Sequence, residues 1–303
     1  MLKKPKHFLS ITDLSINEIW KILTLAKKLK SSPLSKYNKL LSNRTMVMIF
    51  EKPSLRTRLS FEIGMTQLGG HAIYLAPGDI KMGERESVAD VAKVTSRMAN
   101  IIMARVFEHS TIEELAANSS VPVINGLSNL EHPCQILADL MTIWEVKKKL
   151  EGLKIAYVGD CENNVTHSFA LASKVLGFEF AAAGPRGYWM KSGILKKSGA
   201  IQGVYSEDTV RGANVVITDT WISMGDEKEK KERVTKLSSY QVNKKLMDIA
   251  KKDAIFMHCL PAYRGYEVTS EVIDGSQSVV FQEAENRLHS QKALILFLLD
   301  KLI

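Results

Sequence analysis

The sequence contains few cysteines and no long apolar run. Its three cysteines, Cys134, Cys161 and Cys259, stand in a chain of 303 residues and form no Cys-x-x-Cys pair. This excludes a disulfide framework and favours a reducing compartment, so we expect the cytoplasm. The apolar stretches, such as 293–299, are far shorter than the roughly 20 residues that cross a bilayer, and no apolar segment follows Lys3 and Lys4. We therefore expect neither a membrane span nor an export signal.

The charge balance is positive, with 41 Lys and Arg residues against 33 Asp and Glu residues and a net charge of +8. The lysines are spread along the chain and interleaved with glutamates, as in 227–232, and no nucleic-acid-binding motif is present, so we expect no nucleic-acid partner. The positive excess suits attraction of a small anionic substrate instead. The length and the 45% hydrophobic content allow two domains, each with its own core.

Short apolar, β-branched segments alternate with longer helical patterns along the chain. This alternation is typical of the α/β class and predicts two domains, each with a central parallel sheet flanked by helices and doubly wound. The helical pattern from Pro133 ends at Gly152, which predicts domains at 1–150 and 151–286. Strands are predicted at 45–50, 101–104, 121–125, 154–159, 178–183, 215–218 and 254–258. A last helix is predicted over 285–303.

The segment from Ser54 to Arg58 follows one of these strands and leads into a helical pattern. A helix that begins there offers unpaired backbone N–H groups and the positive end of its dipole, beside two hydroxyl and two guanidinium groups. This combination predicts a phosphate-binding loop.

Other polar motifs also follow predicted strands. His132-Pro133-Cys134-Gln135 places a histidine at a helix start and a glutamine one turn further on the same face. Asp219 begins a stretch that ends Ser223-Met224-Gly225, and His258-Cys259-Leu260-Pro261 and Glu285-Asn286-Arg287 come later. Because ligands of open α/β sheets bind at the carboxyl ends of strands, we expect these motifs to serve one site.

In this order and at these separations, the motifs resemble the transcarbamoylase family over nearly the whole chain. The Ser-Met-Gly and His-Cys-Leu-Pro segments make the sequence most similar to ornithine carbamoyltransferases. The resemblance implies transfer of a carbamoyl group from carbamoyl phosphate to the δ-amine of L-ornithine, giving L-citrulline and phosphate, by direct attack. It implies no metal and no organic cofactor, a place in arginine biosynthesis, and a homotrimer or a multiple of it.

The resemblance also implies site residues. Arg105, His132, Asp219, Cys259 and Arg287 match catalytic positions. The positions that bind carbamoyl phosphate are matched by Ser54, Arg56, Thr57, Arg58, Lys81, Arg105, His132, Gln135, Cys259, Leu260 and Arg287. The positions that bind ornithine are matched by Asn164, Asp219, Ser223 and Met224. The Lys81 loop is expected to reach the neighbouring subunit's site, and the segment 287–303 to pack on the first domain. Leu55 stands where the family usually has threonine, so a hydroxyl is missing there.

Several alternatives remain at this point. His258 beside Cys259 suggests a thiol nucleophile, although adjacent residues on a strand point to opposite faces. The segment 154–160 could open a dinucleotide site, but Cys161, Glu162 and Asn163 stand where that site needs glycine. A non-catalytic binding protein would have no need for both halves of the reaction site. Within the family, aspartate, putrescine or N-acetylornithine could replace ornithine as acceptor, and the same site could run citrulline phosphorolysis.

Overall fold

The computed structural model describes residues 5–222 and 227–301. The chain divides into two compact units. The first unit comprises residues 1–141 and 285–303, and the second unit comprises residues 142–284. The domain limits predicted from the sequence, after residue 150 and after residue 286, stay predictions.

The first unit is built on a parallel sheet whose strand order is β2-β1-β3-β4. Its elements are α1 (Ile16–Ser31), β1 (Thr45–Phe50), α2 (Leu55–Gln67), β2 (His71–Leu75), α3 (Val88–Met98), β3 (Ile101–Arg105), α4 (His109–Asn118), β4 (Val123–Leu127) and the start of α5 (Pro133–Lys147). Strands β3 and β4 are buried throughout, as expected for a parallel sheet covered by helices.

The second unit is built on a parallel sheet of order β7-β6-β5-β8-β9. Its elements after α5 are β5 (Lys154–Val158), α6 (Asn164–Leu176), β6 (Glu179–Ala183), α7 (Ser192–Ser198), β7 (Ile201–Gly203), α8 (Ser206–Val210), β8 (Val215–Ile217), α9 (Lys230–Leu237), α10 (Lys244–Ile249), β9 (Ile255–Met257) and α11 (Ser270–Ile273). The last helix, α12 (Val280–Leu298), belongs to the first unit from Glu285 onward.

The predicted fold class is confirmed, and the seven predicted strands are present within a few residues of their expected limits. Two strands were not predicted. β2 is an edge strand whose residues are all at least partly exposed, and β7 is an edge strand of three residues. An edge strand packs against fewer neighbours, so its sequence lacks the continuous apolar run on which the prediction depends. In the described residues, no helix has the length and apolar character that crossing a membrane requires.

Lys292 on α12 is a buried lysine in the first unit. Its side chain is 2% exposed, its stem passes the space beside Gly64 of α2, and its Nζ donates to Gln67 Oε1 at 2.8 Å. Burial lowers the pKa of Lys292 from 10.5 to about 8. Between about pH 8 and pH 10.5, Lys292 is protonated in the unfolded chain but largely neutral in the folded chain. The free energy of unfolding therefore increases with pH in this window, and below pH 8 the folded chain bears the full cost of burying the charged ammonium group.

We expect Lys292→Met to raise the unfolding temperature at pH 7. The shift from 10.5 to about 8 corresponds to about 3 kcal/mol at 1.36 kcal/mol per pKa unit, and loss of the bond to Gln67 offsets part of it. A gain of about 1–2 kcal/mol should remain at pH 7 and diminish above pH 9. Thermal unfolding across this pH range would measure it, with the exposed Lys93→Met as control. A lower unfolding temperature at pH 7 would contradict the prediction.

Candidate functional site

Each sheet has a point where the chain reverses its direction of strand addition. In the first unit this point lies between β1 and β3, and in the second unit it lies between β5 and β8. In doubly wound sheets, ligands bind at the carboxyl ends of the strands at such points. The predicted site residues Ser54 and Arg105 follow or end the strands at the first point, and Asn164 and Asp219 follow the strands at the second.

The loop after β1 forms a capped helix start. Ser54 is the N-cap of α2, its Oγ accepts from the Thr57 backbone N–H at 3.3 Å, and its hydroxyl lies 3.1 Å from Thr57 Oγ1. Thr57 is 1% exposed, while Arg56 and Ser54 are half-buried. Hydroxyls, N–H groups and a guanidinium therefore lie together at the positive end of a helix dipole, an arrangement that suits a phosphate.

Arg287 and Gln135 join this loop although they lie far apart in the sequence. Arg287 donates through Nη2 to Thr57 Oγ1 at 3.4 Å and through Nη1 to Gln135 Oε1 at 2.5 Å. Both Arg287 and Gln135 are almost fully buried. The structure thus brings together Ser54, Thr57, Gln135 and Arg287, whose predicted role in binding carbamoyl phosphate stays a prediction.

His132 is surrounded by positive charge. It precedes α5 and is 5% exposed, and its carbonyl accepts from the Gln135 N–H at 3.0 Å. Burial, followed by the charges of Arg287 and Arg105 and then those of Lys52 and Arg56, holds the pKa of His132 well below 6.5. The imidazole is therefore neutral at pH 7 and can donate a hydrogen bond to a carbonyl oxygen without adding a charge.

Two further predicted positions, Arg58 and Lys81, are exposed, as is Leu55. Arg58 donates to Glu62 Oε2 at 2.9 Å and stacks on the Tyr74 ring at 3.9 Å. Lys81 is an exposed loop residue with a φ of 50°. Leu55, the residue that departs from the family pattern, is the first residue of α2 and is 68% exposed, so it contributes little to the core of the chain. The phosphate-binding roles of Arg58 and Lys81 stay predictions.

In the second unit, Asp219 and Cys259 are in contact. Cys259 Sγ donates to Asp219 Oδ1 at 3.2 Å, and the same oxygen accepts from the Thr220 N–H at 2.8 Å. Both side chains are half-buried. A carboxylate beside a thiol, held by a backbone N–H, can accept hydrogen bonds from an amine or ammonium group.

His258 lies next to this pair but is engaged elsewhere. Its Nδ1 accepts from the Leu260 N–H at 2.9 Å, so its Nε2 carries the proton and faces Glu267 Oε1 at 3.2 Å. This disfavours His258 as the base of a thiol nucleophile. Asp219, His258 and Cys259 offer ligand atoms within 4.8 Å of one another, but a metal would have to displace one of the His258 bonds.

Burial raises the pKa of Cys134 and of Cys161 to about 12, so both thiols stay protonated.

Of the remaining predicted positions, Asn164, predicted to bind ornithine, follows β5, and Leu260, predicted to bind carbamoyl phosphate, follows β9. Asn164 is the first residue of α6, and Asn163 caps that helix by accepting from the Thr166 N–H at 2.8 Å. Leu260 follows Cys259 and has a φ of 58°. Ser223 and Met224 lie outside the described residues.

Sequence comparisons match both units. The family profile described as the carbamoyl-P binding domain of aspartate/ornithine carbamoyltransferase matches residues 6–145, and the profile of the Asp/Orn binding domain matches residues 151–298. The chain belongs to the aspartate/ornithine carbamoyltransferase family. A relative from Methanosarcina acetivorans named ornithine carbamoyltransferase is 50% identical over 300 residues, which cover 97% of this chain and 99% of the relative.

Solved structures of this carbamoyltransferase family share the fold. Ornithine carbamoyltransferase from Pyrococcus furiosus is 46% identical, with a TM-score of 0.90 over 97% of each chain. The anabolic ornithine carbamoyltransferase from Campylobacter jejuni is 42% identical, with a TM-score of 0.90 over 97% of this chain and 98% of that one.

Two charged residues, one in each unit, have contacts that were not predicted from the sequence. Asp139 accepts from Gln135 Nε2 at 2.8 Å, and Arg233 donates through Nε to the Trp221 carbonyl at 2.6 Å and forms an ion pair with Asp160. An acidic residue in the apolar pattern of α5 was a usable signal for Asp139. Arg233 lies in a highly charged segment, which is typical of a solvent-exposed surface, so its contacts were not predictable from the sequence.

Proposed function

We propose that the protein is an ornithine carbamoyltransferase, which transfers the carbamoyl group of carbamoyl phosphate to the δ-amine of L-ornithine and releases phosphate. The cationic group around the neutral His132 in the first unit supports the carbamoyl phosphate half. The contact between Cys259 and Asp219 in the second unit supports the amine half, and this is the observation that carries the choice of acceptor. The names of the similar proteins agree with this reaction.

In the proposed mechanism, the hydroxyls and N–H groups near Ser54, Arg56 and Thr57 bind the phosphate. Arg105, with the neutral imidazole of His132, stabilises the negative charge that develops on the carbamoyl oxygen as the amine attacks. Arg287 and Gln135 hold the other side of the carbamoyl phosphate.

The second unit holds the amine in the proposed mechanism. Asp219 and Cys259 orient the δ-amine in its neutral, nucleophilic form, while Asn164 binds the backbone groups of ornithine. Ser223 and Met224 complete this half by resemblance. The δ-amine attacks the carbamoyl carbon directly and phosphate leaves, so no covalent intermediate with the enzyme forms.

The test is citrulline formation by the purified protein from carbamoyl phosphate and L-ornithine, with putrescine, N-acetylornithine and L-aspartate in parallel. We expect kcat/KM for ornithine to exceed that for each other acceptor by about tenfold or more, because its backbone charges and δ-amine are both recognised. Preference for another amine would overturn the assignment of the second unit. Transfer to none of the four would overturn the reaction.

We also propose the cytoplasm and arginine biosynthesis as the setting. The three free cysteines support a reducing compartment, and the structure named anabolic in Campylobacter jejuni supports the biosynthetic direction.

We propose a homotrimer or a multiple of it as the assembly. Leu55, Leu59 and Ile63 recur on one face of α2 and are 68%, 45% and 39% exposed, an apolar stripe that suits contact with another copy. We expect Leu59→Glu to lower the mass measured by light scattering towards that of one chain, while Leu34→Glu, at another exposed leucine, leaves it unchanged. An unchanged mass in Leu59→Glu would exclude this stripe as the interface.

A further inference from the structure

Asp139 is a buried carboxylate that lies one turn after Gln135 on α5. Its side chain is 1% exposed, and its Oδ1 accepts a hydrogen bond from Gln135 Nε2 at 2.8 Å. Gln135 is also 1% exposed. A carboxylate so far from water requires good hydrogen-bond partners, and a bond between a charged acceptor and an amide is stronger than one between neutral groups.

The opposite end of the Gln135 amide faces a positive charge. Gln135 Oε1 accepts from Arg287 Nη1 at 2.5 Å, and Arg287 Nη2 reaches Thr57 Oγ1 at 3.4 Å. The amide therefore lies between a carboxylate on its NH₂ side and a guanidinium on its carbonyl side. All four side chains in this series are buried: Thr57, Gln135, Asp139 and Arg287.

These two charges determine which way the amide points. An amide rotated by half a turn would present its oxygen to the Asp139 carboxylate and its NH₂ group to the Arg287 guanidinium. Both contacts would be repulsive in an environment where electrostatic interactions are weakly screened. A neutral group in place of Asp139 would remove half of this preference, because an asparagine can face either end of the glutamine amide.

We propose that Asp139 is a positioning residue for the carbamoyl end of carbamoyl phosphate. It fixes the orientation of the Gln135 amide and, through that amide, the place of the Arg287 guanidinium. The inference rests on the proposed function, in which Gln135 and Arg287 hold the carbamoyl side while the loop from Ser54 to Thr57 binds the phosphate. Asp139 acts through Gln135 and does not itself touch the substrate.

The distinguishing experiment compares two ligands by isothermal titration calorimetry on the full chain. In Asp139→Asn we expect the Kd of carbamoyl phosphate to rise by about tenfold or more, the order expected for a lost hydrogen bond to a charged group. The Kd of inorganic phosphate should change by less than about threefold, because phosphate needs the loop and not the oriented amide. Asp139→Glu, which keeps the carboxylate, should recover part of the affinity.

The matched control is Asp13→Asn, another Asp-to-Asn change in the first unit. Asp13 accepts from the Leu9 and Ser10 N–H groups at 2.7 and 2.9 Å, so its loss should lower the unfolding temperature without changing the ratio of the two Kd values. Equal weakening of both ligands in Asp139→Asn, or no weakening, would overturn the proposal.

Two further outcomes can be distinguished from failure of the Asp139 proposal: a variant that does not fold, and a wild-type protein that binds carbamoyl phosphate without transferring its carbamoyl group. If Asp139→Asn does not fold, Asp139→Ser keeps an acceptor hydroxyl, and the same ratio of Kd values decides. If the wild-type protein binds carbamoyl phosphate but transfers its carbamoyl group to no amine, the proposed function fails while the binding comparison still tests Asp139.

Discussion

Arg105→Ala is expected to lower kcat by about 100-fold or more, the scale observed when a preorganised donor to a developing oxyanion is lost. Arg105 is 7% exposed at the end of β3, and its charge contributes to the lowered pKa of His132. Its guanidinium thus lies in a buried, cationic environment before the substrate binds. Because its proposed partner oxygen gains charge only during attack, kcat should fall more than the affinity for carbamoyl phosphate.

Steady-state citrulline formation with both substrates varied would measure this effect. Arg105→Lys retains a positive charge without the planar fork, so we expect an intermediate rate. The exposed Arg97→Ala on α3 removes an arginine from the same unit and should leave kcat unchanged. A near-normal kcat in folded Arg105→Ala would exclude the proposed role.

Asp219→Asn is expected to lower kcat/KM for ornithine by about 30-fold or more, equivalent to ~2 kcal/mol or more, because the variant loses the charged acceptor of the proposed hydrogen bond from the δ-amine. The asparagine amide still accepts from the Thr220 N–H, so the local turn should persist. It lacks the negative charge that would bind and orient the amine beside Cys259.

The binding of carbamoyl phosphate provides the internal check for this second variant, because its proposed residues lie in the first unit. Calorimetry should give the same Kd for carbamoyl phosphate in Asp219→Asn and in the wild-type protein. Asp248→Asn, which changes an exposed aspartate of α10 in the second unit, should alter neither quantity. If Asp219→Asn left kcat/KM for ornithine intact, the acceptor site would have to lie elsewhere.

The two units differ in the charge of their predicted site residues, as the two substrates of the proposed reaction require. The first unit collects positive charge around a histidine that is neutral because burial and neighbouring cations oppose its protonation. The second unit collects a carboxylate and a thiol. A dianionic phosphate and an amine therefore each find a chemically suited environment, which follows from the parallel sheets presenting different side chains at their carboxyl ends.

The buried polar network could not be predicted from residue order. Arg287 reaches Thr57 across 230 positions of the chain and Gln135 across 152. Only the packing of α12 on the elements of the first unit brings these residues together. The tautomer of His258 could not be predicted from the sequence either. It depends on the Leu260 N–H and on the Glu267 carboxylate, and the backbone after β9 places both of these groups beside the imidazole ring.

The sequence by itself determined the class of the fold, most of the strands and the polar motifs that follow them. These features are local, since an apolar period, a proline at a helix start or a serine at an N-cap acts through residues a few positions away. Only the tertiary structure decided that Leu55 is exposed, that Arg287 bonds Thr57 and Gln135, and that His258 faces Glu267. These outcomes depend on burial and on partners from distant segments, which set the energy of a charge or an amide only after the chain has folded.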